Sequence, residues 1–363
     1  MRMLKPASLL LLLIVGLGGY LSTVMHRFDF KPAAAAWQPA AAPASSEVPK
    51  PRQPCRDYRE TGRAFFGDLH VHTSVSFDAA SRGVLATADD AYRFARGEPL
   101  ALAPYKDSSA GRASRQLSRP LDFAAVTDHA EWIGEVVVCS TEGTVQYHSE
   151  QCRRFREGIT LKEPDFLPLM GLLDRAGSIC GENNRVCREA LAGAWEDNQR
   201  ASEAHYDRSA DCSFTTFHAY EYSNSVSLSK VHRNVIFKNE RVPELPVSSL
   251  EQPDPKGLWD RLDAQCVDAS PYCEAISIPH NANVSNGRMF VVPYRAEFEP
   301  EQQRQARQRA RWEPLVEMMQ IKGESECAND LWKVLGEDEF FRNHKIRPHP
   351  APSTDHSHIL THL

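Results

Sequence analysis

Phe65-Phe66-Gly67-Asp68-Leu69-His70-Val71-His72-Thr73 decides how the rest of the chain is read. The apolar start and the alternation after it predict a strand over Ala64–Val71. On a strand every second residue shares a face, so Asp68, His70 and His72 point together while Leu69 and Val71 point oppositely. Two imidazoles about 7 Å apart on one strand face can chelate one metal ion or bridge to a second. Two buried histidines can instead satisfy each other or the backbone, but an aspartate in the same row favours ligation. Polar Thr73 and Ser74 end the strand, placing His72 near the carboxyl end, where α/β barrels carry their active sites.

The same layout recurs downstream. Leu121–Thr127 is an apolar run that discharges onto Asp128-His129. Adjacent residues cannot both face inward on a regular strand, so one is a ligand and the other orients an imidazole. Phe214–Tyr222 ends on Glu221, a carboxylate placed to bridge two metals. His232 opens the run through Arg233 to Phe237, and Ala275–Ile278 leads into Pro279-His280-Asn281. Leu315–Ile321 is the last strand candidate. One histidine or carboxylate at a strand end would be noise; five make a site.

Helical patterns lie between these strands. Thr87-Ala88-Asp89-Asp90 has the form of a capping box, with Ala91, Phe94 and Ala95 on one face and Gly97 as a stop. Arg188–Arg208, Gly257–Val267 and Pro300–Trp312 are the other long candidates. Strands alternating with helices argue for a parallel sheet with crossover helices. Six strands fall short of a closed eight-strand barrel. Residues 135–187 lack a clear period and read as an insertion.

Composition narrows the function classes. Against 42 Lys+Arg stand 48 Asp+Glu, for a net charge of −6, so no general electrostatic attraction to nucleic acid is expected. Hydrophobic residues at 42% and charged residues at 25% exclude a collagen-like, disordered or polytopic membrane protein.

Arg2 and Lys5 precede an uncharged run from Ala7 to Met25, which predicts export through a cleaved signal peptide or an inner-membrane anchor within residues 1–27. Residues 28–59, rich in Pro and Ala, read as an extended tether. Cys139 with Cys152, Cys180 with Cys187, and Cys266 with Cys273 are spaced to close short disulfide loops in an oxidising compartment, periplasmic or outside the cell. Cys55, Cys212 and Cys327 remain. The tail over 330–363 carries five His and three Pro in its last 20 residues and reads as irregular.

Asp68-Leu69-His70-Val71-His72-Thr73, with Asp78 six residues beyond His72, and then Thr127-Asp128-His129, resembles the PHP (polymerase and histidinol phosphatase) superfamily. Tyr220-Glu221-Tyr222, His232-Arg233-Asn234, Pro279-His280-Asn281 and Gln320-Ile321-Lys322-Gly323 extend the likeness to a bacterial branch known only as a domain of unknown function. The resemblance runs from about residue 60 to 327. It implies a distorted (β/α)7 barrel with two or three divalent ions, zinc, manganese or iron, that hydrolyses phosphate esters. Residue by residue, it implies that His70, His72, Asp78, His129, Glu221, His232 and His280 hold the metals, with Glu221 bridging.

Asp68 and Asp128 would then orient imidazoles, and Arg233 or Lys322 would hold the phosphate of an unidentified small-molecule ester. The superfamily closes its metal set with a late Asp-x-His. Nothing after Lys322 supplies an apolar strand ending that way, so the chain is expected to be incomplete from about residue 330. Two other function classes fit less of the sequence: an amidohydrolase-type metal hydrolase, and a catalytically impaired metal-binding protein.

Overall fold

A computed structural model describes residues 42–102, 113–157, 177–226, 229–285, 288–290, 299–320 and 323–324. The amino-terminal apolar run, Cys327, Lys322 and the tail from 330 lie outside the described residues.

The first half contains β1 (Gly67–Val71), α1 (Phe77–Ser81), α2 (Ala88–Ala95), β2 (Leu100–Ala101), β3 (Ser114–Arg115), β4 (Phe123–Val126), α3 (Ile133–Ser140) and α4 (Glu150–Glu157). There follow α5 (Gly177–Cys180), α6 (Arg185–His205), β5 (Thr215–Phe217), β6 (Ala219–Tyr222), β7 (Ser225–Val226), β8 (Ser229–Lys230) and β9 (Arg233–Phe237). The described chain ends with α7 (Pro255–Leu262), β10 (Ala275–Pro279), α8 (Glu299–Trp312), β11 (Met319–Gln320) and β12 (Gly323–Glu324).

The distorted (β/α)7 barrel implied by the resemblance is not what the described residues build. β1, β4 and β5 form a three-stranded parallel sheet, whereas β10, β9 and β6 form an antiparallel one. The remaining strands pair as three two-stranded ladders, and no closed barrel is present among the described residues. The reason lies in the connections. The run expected as one strand over Phe214–Tyr222 breaks at His218, and the link from Tyr222 to Arg233 is too short for a crossover helix, so β9 must return antiparallel.

Packing nevertheless joins the sheets. Ala125, Ala219, Ile236 and Ile278 form one buried cluster, with Leu69 of β1 packed against it. A second and larger cluster gathers Trp195, Tyr220, Tyr222, Phe237, Leu258, Trp259 and Trp312. The helix α2 keeps the cap expected from sequence, with Thr87 accepting from Asp90 and Asp90 accepting from Thr87. Gly97 follows at φ +94°, a left-handed conformation that glycine takes without strain.

Within the expected insertion, α3 packs along α6. Disulfides join Cys139 to Cys152, Cys180 to Cys187 and Cys266 to Cys273, and a fourth joins Cys55 to Cys212. The Pro-rich segment before β1 lies against the domain. Ala44 donates to Gln265, Gln53 to Arg208 and Arg56 to Ala210, all backbone to backbone. Among the described residues no helix is long and apolar enough to cross a membrane.

Candidate metal centre

Each element ends where its polar residue is needed. The register of β1 against β4 shifts between Asp68 and Val71. His70 lies within that irregularity and His72 just past β1, and both rings meet Glu221 on β6. The β4 chain runs on to His129, which forms a parallel bridge with Glu221; Ala130 donates to the Glu221 carbonyl and Glu221 donates to the Asp128 carbonyl. His232 and His280 come from the antiparallel sheet, at the start of β9 and the end of β10.

Glu221 is wholly buried, and five imidazoles converge on it. Its Oε1 lies 2.6 Å from His232 Nδ1, 3.1 Å from His280 Nε2 and 3.3 Å from His129 Nδ1. Its Oε2 lies 2.8 Å from His72 Nε2 and 3.3 Å from His70 Nε2. The Ser223 hydroxyl donates to Oε1 at 3.1 Å. Asp78 stands on the far side of two rings, with Oδ1 3.0 Å from His72 Nδ1 and Oδ2 3.7 Å from His129 Nε2. Phe77 packs 4.6 Å from His129 and 5.3 Å from Trp132, centroid to centroid.

Electrostatics divide the rings into two kinds. Burial opposes charge on His70 and His72, but hydrogen bonds to carboxylates outweigh it. Glu221 and Glu317 push His70 up to about 9, and Asp78 and Glu221 push His72 up to about 10. Burial prevails at the other three. It lowers His129, takes His280 down to about 4 and holds His232 well below the usual range. Burial would raise Glu221, yet its electrostatic interaction with His129 and His280 and the hydrogen bonds from His232 and His280 hold it well below the usual range.

Two groups in this cluster could hold a metal ion: His70, Glu221 and His280, and His72, His129 and Glu221. The residues fit such an ion for a reason internal to the protein. Five imidazoles and a hydroxyl converge on a carboxylate that offers about four lone-pair directions. His232 Nε2 and His280 Nδ1 are buried with no hydrogen-bond partner among the described residues. A mixed imidazole and carboxylate set suits a divalent cation. A third group, Glu135 with Cys180 and Cys187, is different, because its two sulfurs are bonded to each other.

Residues 59–357 match the family model described as "Protein of unknown function (DUF3604)". The chain belongs to that family. No curated protein and no solved structure matches this DUF3604 member.

The DUF3604 fold brings together His70, His72, Asp78, His129, Glu221, His232 and His280, the residues singled out from sequence as ligands. Asp68 accepts from the His70 backbone N–H at 2.9 Å. Asp128 accepts from the Thr73 backbone and, at 2.8 Å, from its hydroxyl, which shapes the turn after His72; burial pushes Asp128 up to about 6. Both aspartates therefore act on the backbone beside the rings. Arg233, expected to hold phosphate, is 1% exposed, and its guanidinium meets Glu313 and the carbonyls of Val231 and Met289. Lys322 lies outside the described residues.

Two carboxylates of this DUF3604 site are not singled out by sequence. Glu317 takes a hydrogen bond from His70 Nδ1 at 2.9 Å. Glu131, pushed up to about 7 by burial, accepts from the backbones of Ser223 and Ser249. Glu131 lies two residues past His129, where a strand-end pattern could have flagged it. Glu317 falls inside Leu315–Ile321, expected as a strand, but among the described residues only Met319–Gln320 pairs there, and Glu317 sits in the loop before it.

Proposed function

We propose that this protein is an exported, divalent-metal-dependent hydrolase, and specifically a phosphoesterase, with zinc, manganese or iron as its ion. The observation that carries the proposal is Glu221, one buried carboxylate shared by two groups of imidazoles. In this reading Glu221 with His70 and His280 would hold one ion, and Glu221 with His72 and His129 would hold another. Asp78 would add a carboxylate beside His72 and His129. Bound there, close divalent ions supply Lewis acidity toward phosphoryl oxygens and a lowered pKa for water.

The remaining roles belong to the chain itself. Glu317 orients the His70 ring. Phe77 and Trp132 wall the His129 side and keep bulk water from it. Arg82, about two-thirds exposed and donating to the Asp78 carbonyl at 2.9 Å, brings positive charge to the rim for an anionic ester. The PHP-like motif set supports ester hydrolysis at phosphorus, and the four disulfides support an oxidising compartment outside the cytoplasm.

Elemental analysis and substrate panels test the proposal on one preparation. The purified chain should carry at least about one metal ion and turn over phosphomonoesters or phosphodiesters, and chelation should abolish that activity. Turnover of amides alone would replace the phosphoesterase with an amidohydrolase-type activity. A chain that binds metal and hydrolyses no member of the panels would be a non-catalytic metal protein, and the proposal would be wrong.

A further inference from the structure

Phe65 and Phe66 lead into β1 and are 53% and 57% exposed, and Tyr58 just before them is 79% exposed. Apolar side chains scattered singly over a surface need no explanation, but three large rings within one short segment form a patch. Each phenylalanine carries a guanidinium. Arg63 stands 4.6 Å over the Phe65 ring and Arg119 4.8 Å over the Phe66 ring. Arg63 also donates to Asp57, and Arg119 donates to Asp122 at 3.0 Å. The Asp122 carboxylate accepts from the Phe66 backbone N–H at 2.8 Å, which joins the two segments into one surface. Residues 56–66 and 115–122 hold five arginines against three carboxylates, in a chain whose net charge is −6.

The patch lies where β1 and β4 start, whereas His72 and His129 follow the ends of the same strands. Extended chain from Phe66 to His72 spans about 20 Å. The chain upstream reaches the patch along this same end of the fold. Lys50 N–H donates at 2.6 Å to Glu240, which follows β9 at the end remote from His232. Arg56 N–H donates to the Ala210 carbonyl and Cys55 is bonded to Cys212, both just before β5. The uncharged run from Ala7 to Met25 is joined to the domain through this strap.

We infer that this end of the fold docks on the surface of an anionic lipid bilayer, with Tyr58, Phe65 and Phe66 among the headgroups and Arg59, Arg63 and Arg119 on lipid phosphates. Aromatic rings rimmed by cations suit that interface. Arginine lays its stem along apolar surface and keeps its head on water or phosphate. Each arginine near an anionic surface strengthens binding by about fivefold. The choice of a bilayer as the occupant rests on reading residues 1–27 as a signal or anchor. Docked this way, the domain turns the histidine cluster away from the lipid.

The test is backbone hydrogen exchange on the full chain mixed with vesicles of phosphatidylcholine, or of phosphatidylcholine with phosphatidylglycerol. Amides of residues 56–66 should exchange at least about fivefold more slowly on the anionic vesicles than on the neutral ones. Phe65→Ser combined with Phe66→Ser should remove the slowing, and Arg59→Glu should reduce it. Equal exchange on the two kinds of vesicle would overturn the inference. So would slowing that appears without lipid and grows with protein concentration, which would assign the face to a second copy of the chain. The comparison on the unaltered chain decides even if a variant does not fold. An anchor within residues 1–27 would hold the chain on both kinds of vesicle. Co-sedimentation with both, while residues 56–66 exchange freely, would therefore keep the anchor and defeat the docking surface.

Discussion

Glu317 lies 2.9 Å from His70 Nδ1 across 247 positions of sequence, tying the last described loop to the first strand. By accepting from Nδ1 it leaves Nε2 of His70 directed at Glu221, 3.3 Å away. Outer carboxylates that orient a ligating imidazole are worth about 10–100-fold in metal affinity. Glu317→Ala is therefore expected to weaken metal binding by about that factor, as read by competition with a chromophoric chelator. Unchanged affinity would remove Glu317 from the site.

Close approach of two helices predicts a second effect. A Cβ placed on Gly134 of α3 would stand 2.0 Å from the Cys187 carbonyl oxygen on α6. Backbone cannot move aside as a flexible side chain can, so Gly134→Ala must push α3 from α6. Overpacking of this kind costs about 1–3 kcal/mol. The expected result is a lower midpoint in chemical denaturation with the metal stoichiometry of the folded protein unchanged.

Leu258 of α7 is fully buried in the cluster around Trp259 and Phe237. Truncation there removes apolar contacts and leaves a cavity, at a cost of about 2–5 kcal/mol. Leu258→Ala should show that loss in urea unfolding. A change under about 0.5 kcal/mol would mean that the cluster closes over the space.

Burial works against the Glu203 carboxylate, but hydrogen bonds from His218, Arg208 and Lys50 outweigh it and hold its pKa well below the ordinary 4.5. A carboxyl depressed on folding contributes its full stabilisation above the unfolded pKa and loses it as pH falls toward the folded one. Stability should thus decline on acidification below about pH 4.5. Glu203→Gln lacks the contribution at every pH, so its deficit against the natural chain should be largest near neutrality and shrink in acid. Urea midpoints at about pH 7 and about pH 3 measure it, and a deficit that stays constant would contradict the assignment.

How much of this was legible in the sequence depended on whether a residue repeated a pattern. His70 and His72 alternate on one strand, and His129, Glu221 and His280 each follow an apolar run, so periodicity placed them at strand ends and the fold gathered them. Glu317 falls in the middle of the strand expected over Leu315–Ile321 and not at its end. Its neighbours Val316 and Met318 are exposed, and its partner lies at the other end of the described chain. Ser223 is one serine in a polar loop, and only the fold reveals that Glu131 and Ser249 hold it. Strand direction is hidden from sequence for a related reason. Local composition marks β6 and β9 as strands, but the short link between them, not their residues, makes them antiparallel. Arg233 looked like an anion holder because charge is visible in sequence, whereas its partner Glu313, 80 positions away, is not.

Cys55 and Cys212 are bonded across a separation of 157 residues, and the covalent ring they close contains His70, His72 and His129. Glu221, His232 and His280 lie beyond it. A protease that cuts once between His129 and Cys212 therefore opens the polypeptide without freeing either piece. Both fragments remain leashed through sulfur, and the two halves of the histidine cluster stay within one molecule. Such nicked protein would migrate as a single band until a reductant is added, and only then would the fragment carrying Glu221 part from the one carrying His70.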